Sequence, residues 1–187
     1  IVLTADSASK AYDGTALTDS GYKITTGAFV GNDGLAGVTV SGSQTFAGSS
    51  DNTITGHTLA EGTKDQNYSI TYKQGTLEVT QASIAITITA DSGTKTYDGT
   101  ALTKNTYTST GTLAAGDTIS SVTLTGSQTD AGDSANTAKA AVIKHDGTDV
   151  TANYKITYAD GTLTVNPVAI VLTADSASKA YDGTALT

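Results

Sequence analysis

The sequence predicts a mostly-β protein in which small β-sheet or sandwich modules follow one another in an elongated array, with little or no helix. Three observations predict this: the chain repeats itself, its apolar residues alternate with Thr and Ser, and Gly and Asp punctuate the alternating stretches. Residues 1–18, IVLTADSASKAYDGTALT, recur letter for letter at 170–187, and residues 86–103 repeat them with five changes. VTVSGSQTFAG at 38–48 matches VTLTGSQTDAG at 122–132, and NYSITYKQGTLEVT at 67–80 matches NYKITYADGTLTVN at 153–166. The offsets of 85, 84 and 86 residues define tandem units of about 85 residues. Residues 1–83 are copy one, 84–168 are copy two, and 169–187 open a further copy-one module. The 170–187 stretch matches copy one perfectly and copy two only partly, so the larger repeat is a two-module unit of 169 residues.

Within a unit the elements can be read in order. Ile84, Ile86, Ile88 and Ala90 alternate with Ala85, Thr87 and Thr89, which gives a strand with one apolar and one Thr-rich face. The Tyr-Asp-Gly runs at 12–14, 97–99 and 181–183 read as turns. Only Thr58–Asp65 could hold one short helical turn. Tyr68, Ile70 and Tyr72 oppose Ser69 and Thr71 in a further strand, and Leu77 with Val79, like Leu163 with Val165, marks the last. Lys73-Gln74-Gly75 and Asp160-Gly161 are expected to close hairpins, with Gly free to take positive φ. Thr makes up about a fifth of the chain and suits a solvated sheet face. The linker Gln81–Ser83 is short and free of Gly and Pro, which predicts a stiff rod.

Composition excludes several functions. All ten basic residues are lysine, against 18 acidic ones, and the net charge is −8, so a nucleic-acid backbone would be repelled. No apolar run approaches bilayer length, so no membrane insertion is expected in this segment. The absence of Cys removes disulfides, thiolate metal sites and thiol nucleophiles.

AYDGTALT at 11–18, TYDGTALT at 96–103, the GSQTxAG run and the closing NYxITYxxGTLxV together resemble the YDG and MBG (mostly-β, glycine-rich) repeats of bacterial surface proteins. The likeness covers both units and the trailing fragment. It implies a structural module, namely a stalk, spacer or fibre segment, of a large extracellular, adhesin-type protein that is secreted or held at the cell surface. Its partners would be neighbouring repeats of the array and other copies of the protein. Two rival readings are an adhesive module for host glycan or protein, and a self-associating extracellular filament subunit. Phe29 and Phe46, both in copy one, are the only hint of an adhesive face.

No catalytic, cofactor or metal residue is assigned. Asp13 and Asp98 are read as turn formers rather than ligands of a metal or sugar. Asp6 and Asp91, like Asp33 and Asp117, recur, but no DxDxDG calcium loop contains them. His57 and His145 occupy non-equivalent positions, and both glutamates lie in copy one, so the units share no acid–base pair and no enzyme is expected. An intramolecular isopeptide bond would need Lys10 or Lys95 beside Asn67 or Asn153, with Asp13 or Asp98 as the acid; nothing in the sequence marks these residues as buried. Tyr12, Tyr22, Tyr68 and Tyr72 recur as Tyr97, Tyr107, Tyr154 and Tyr158, which predicts shared packing roles. Residues 170–187, a first strand without partners, are expected to pair with copy two or with a neighbouring chain in a continuing array.

Overall fold

The computed structural model describes residues 1–187 and is built of strands, with two one-turn 3-10 helices and no α-helix. Copy one contains β1 (Val2–Ala5), β2 (Ala8–Ala11), β3 (Tyr22–Thr26), β4 (Leu35–Ser41), β5 (Gly48–Leu59), β6 (Thr71–Lys73) and β7 (Gly75–Thr80). They form two sheets, ordered β3-β1-β6 and β2-β7-β5-β4. Copy two contains β8 (Ile86–Ala90), β9 (Gly93–Thr96), β10 (Tyr107–Thr110), β11 (Asp117–Thr125), β12 (Gly132–His145), β13 (Thr148–Asp149), β14 (Ile156–Ala159) and β15 (Gly161–Asn166). Its sheets run β10-β8-β14 and β11-β12-β15-β9, the same order strand for strand. The one addition is β13, which pairs with the end of β12.

The expected hairpins at Gln74 and Asp160 do not form. β6 pairs in parallel with β1, and β7 pairs in parallel with β2. The register offset is the same on both sides, Val2 facing Thr71 and Ala8 facing Leu77, so one parallel ribbon bends and passes from the first sheet to the second. In copy two Ile86 faces Ile156 and Gly93 faces Leu163 in the same manner. Gly75 and Gly161 sit at this bend because of closeness, not positive φ. A Cβ on Gly75 would lie 2.3 Å from the Asp6 carbonyl oxygen, and one on Gly161 would lie 2.4 Å from that of Ala90. A Gly after a polar residue signals a change of direction; the sequence does not say which strand comes next door.

Other boundaries also shift. Ile84 stands outside the strand it was expected to begin and is exposed. The helical turn falls at Asp65–Asn67, because β5 runs on to Leu59, and an equivalent turn occupies Thr151–Asn153. Tyr68 lies between that turn and β6, so the strand expected over 68–72 is reduced to Thr71–Lys73.

The core between the sheets is thin. Leu3, Leu77 and Val79 in copy one and Ile86, Ile88, Leu163 and Val165 in copy two are almost fully buried, each contributed by a strand of strict alternation. At its centre lies an asparagine. Asn52 Nδ2 donates to the carbonyls of Asp6 (2.8 Å) and Asp19 (3.1 Å), tying the bend of the ribbon and the loop before β3 to β5. Asn136 does the same for Asp91 and Lys104. Both side chains are buried, so these bonds satisfy carbonyls that water does not reach.

Residues 170–187 form no strand and are exposed along their length. The pairing expected of them is absent here. Their hydrogen bonds are local, made by Lys179 and Thr184 to Asp182.

Candidate functional site

The most developed site is where the end of copy one meets the beginning of copy two. The parallel ladder of β2 and β7 runs one residue further, Tyr12 N–H donating to Thr80 O at 2.9 Å, which fixes the Tyr12 backbone at the tip of the module. The chain then turns at Gly14 (φ +83°) and returns through Leu17, which exchanges both backbone hydrogen bonds with Gln44. The Gln44 side chain donates to Phe46 O and holds the adjacent loop. Sequence therefore builds a rigid tip from which one aromatic ring projects.

That ring enters copy two. Tyr12 is 5 % exposed, its ring meets that of Tyr154 edge to face at 5.5 Å, and its hydroxyl donates to Asp117 Oδ2 at 2.9 Å. Tyr154 OH donates to the same oxygen at 2.5 Å and accepts from Ala114 N–H at 2.8 Å. His145 Nδ1 lies 2.5 Å from Asp117 Oδ1; a carboxylate can only accept, so this nitrogen carries the hydrogen. Around the ring, Ala47 N–H donates to Asn153 Oδ1 and Ala82 N–H to Asn153 O, both at 2.8 Å, while Gln81 Nε2 reaches Ala152 O. The linker is thus bound rather than free. Tyr12 and Val79 of copy one and Ile86, Ile88, Ile143 and Tyr154 of copy two belong to one continuous buried apolar cluster.

Burial, then the hydrogen bond and charge of Asp117, push the Tyr12 hydroxyl up to about 12 and the Tyr154 hydroxyl further still. Both phenols therefore stay protonated and donate, and the carboxylate between them is supplied with three donors. A buried carboxylate needs this, since an unpaired one costs several kcal/mol.

Asp33 and Asp117, which recur without a calcium loop, are this acceptor: in copy one, Tyr68 OH donates to Asp33 Oδ2 at 2.7 Å. Asp13 is a turn former. Its Oδ1 accepts from Thr15 N–H, Thr15 Oγ1 and Lys10 Nζ, and Asp98 and Asp182 accept the same three in their own copies. These donors hold the Asp13 and Asp182 carboxyls at about 2 and Asp98 lower. Of the groups weighed for an isopeptide bond, Lys10 and Lys95 are paired with Asp13 and Asp98 in these turns, Asn153 hydrogen-bonds Ala47 in the junction, and Asn67 is exposed. No three His, Asp or Glu side chains gather where they could hold a metal ion. His57 lies on a sheet face against the Tyr72 hydroxyl, whereas the position in register with His145 is Glu61, past the end of β5. Phe29 packs on Tyr68, and Phe46 is exposed beside Ala47.

Sequence reading missed two features. Asn52 and Asn136 recur at a constant offset before Thr, and that recurrence was the available signal. The union of Tyr12 with Asp117 had none, because the two are 105 residues apart and meet only through module packing.

The chain is mostly β, two units each of two small sheets with a bent parallel ribbon, the tip of the first packed on the base of the second. Residues 86–164, within copy two, match the family model of the MBG domain (YGX type), which is consistent with an MBG/YDG-type repeat. Copy one shares its strand order and its motifs. No curated protein and no solved structure matches the chain. MBG domains are generally found in bacterial surface proteins, and the chain has the character of a bacterial surface-protein repeat module. No helix is long and apolar enough to cross a membrane.

Proposed function

We propose that the two modules are a stalk, spacer or fibre segment of a large extracellular protein, non-catalytic, and extended by packing module on module. The observation that supports this most is the buried insertion of Tyr12 into copy two. Flexible domain pairs meet through small polar contacts; here an apolar cluster and a bound linker join the units. The interface is heterologous, the tip of one module against the base of the next, and such contacts generate open arrays when the rotation does not close. Stability then follows from each unit plus its neighbour interface.

Small-angle scattering of the chain tests this reading. The expected outcome is a distance distribution with the long tail of two modules placed end to end. A compact symmetric distribution, or the profile of freely jointed beads, overturns it.

A further inference from the structure

Both halves of the junction occur a second time in this chain, each without a partner. At the far end of copy two, Tyr97 N–H donates to Asn166 O at 2.8 Å, Leu102 exchanges backbone hydrogen bonds with Gln128, and Gln128 Nε2 holds Asp130 O. These are the contacts that fix the Tyr12 tip, yet Tyr97 is 42 % exposed. It lines an apolar cleft of about 310 Å³ with Ala131, Pro167, Val168 and Ile170. At the base of copy one, Tyr68 OH donates to Asp33 Oδ2 at 2.7 Å and accepts from Val30 N–H at 3.0 Å, the arrangement of Tyr154, Asp117 and Ala114. Val30 is 75 % exposed, and Asn67 is exposed where its counterpart Asn153 is buried.

We propose that the Tyr97 end of this chain docks on the Asp33–Tyr68 end of a second copy of the two-module unit, joined in tandem through Pro167–Ala169. The occupant follows from three observations. Residues 170–187 repeat 1–18 letter for letter, so a copy-one module is the one begun after copy two. The connecting stretch 167–169 is as long as 81–83. The tip and the base already hold the tyrosine, aspartate and backbone hydrogen bonds of their counterparts in the occupied junction, with Glu61 at the place of His145. Tyr97 then donates to Asp33 of the second copy, its ring lies against Tyr68, and Ala131 N–H reaches Asn67 Oδ1. This deepens the spacer reading by naming the second kind of junction, copy two on copy one.

The test extends the full chain with a second copy of residues 19–83 after Thr187, which completes the copy-one module that 170–187 begin and adds no second Tyr97. Nitration by tetranitromethane, followed by peptide mass spectrometry, reports on the Tyr97 ring, with Tyr154, 4 % exposed, as the buried reference. Relative to the 187-residue chain, Tyr97 nitration should slow by about tenfold, the factor for a junction closed nine-tenths of the time. Replacing the appended counterpart of Asp33 by Ala should restore most of the reactivity. Unchanged Tyr97 reactivity on extension overturns the proposal, and so does protection that survives the Asp→Ala change. An extended scattering profile with a reactive Tyr97 would sink this docking and leave the spacer reading standing.

Discussion

Tyr12 and Tyr97 belong to nearly identical sequences, AYDGTALT and TYDGTALT, on tips built by the same backbone contacts, yet one is 5 % exposed and the other 42 %. A third tyrosine, Tyr181, sits in the same motif outside any sheet and is 97 % exposed. Across all three, the Lys-Asp-Thr contacts of the turn persist. The turn is therefore a local property of about eight residues, whereas the fate of the ring depends on what stands opposite. The motif has two separable parts, a turn that folds by itself and a ring that waits for a neighbour.

The largest expected effect breaks the comparison at the ring. Tyr12→Ala empties a buried site in the shared cluster and should destabilise the pair by about 3 kcal/mol or more, as large-to-small aromatic changes in cores do. Tyr97→Ala removes a ring that is only partly buried and should change stability by less than about 1 kcal/mol. Denaturant unfolding of the two variants measures the difference. Equal losses would mean that Tyr12 does not owe its burial to copy two.

A finer change keeps the ring and removes the hydroxyl. Tyr12→Phe leaves Asp117 with two donors in place of three and should cost about 1.5 kcal/mol, the range for a hydrogen bond to a charged group. Tyr97→Phe loses no hydrogen bond within the chain and should be neutral within error in the same unfolding experiment. A neutral Tyr12→Phe would place the junction's stability wholly in its apolar packing.

How much of this could be read from the sequence divides along the same line. The alternation of Ile86, Ile88 and Ala90 placed β8 and its buried face correctly, and Tyr-Asp-Gly gave the turn, because both signals act between residues close in sequence. The bend at Gly75 looked like a hairpin because local chemistry marks a turn without naming its partner strand; the partners, β1 and β2, lie 69 residues earlier. Asp117 was visible as a recurring aspartate, but its roles as acceptor for Tyr12 and Tyr154 depend on packing across the junction. Asn136 was overlooked because a lone Asn in a strand resembles a surface polar residue until two buried carbonyls are found facing it.

A gradual loss at high pH sharpens the comparison further. Tyr12 titrates at about 12 in the folded pair against an ordinary value of 10.0. A folded-state value raised above the unfolded one stabilises fully below pH 10, and that contribution is lost as pH rises from 10 towards 12. Unfolding measured across this window should show a decline for the native chain that is weaker in Tyr12→Phe. An identical decline in both would show that Tyr154, whose hydroxyl is also pushed up, carries the alkaline sensitivity alone.

The smallest effect concerns the turn itself, where the three copies should behave alike. Asp13 and Asp182 each accept from a lysine, a backbone N–H and a threonine hydroxyl, and each is held at about 2 against an ordinary 3.8. A depressed folded-state value means the turn is stabilised above about pH 4 and loses that support as pH falls towards 2. Carboxyl carbon shifts followed by NMR should therefore give Asp13 and Asp182 nearly the same low midpoint, although one sits on a folded module and the other on a strand-free segment. The shared value follows from donors supplied within five residues, since the hydrogen bonds to the Asp182 carboxylate come from Lys179 and Thr184. A normal midpoint for Asp182 beside a low one for Asp13 would show that the turn needs the sheet behind it, and would end the division of the motif into a self-sufficient turn and a dependent ring.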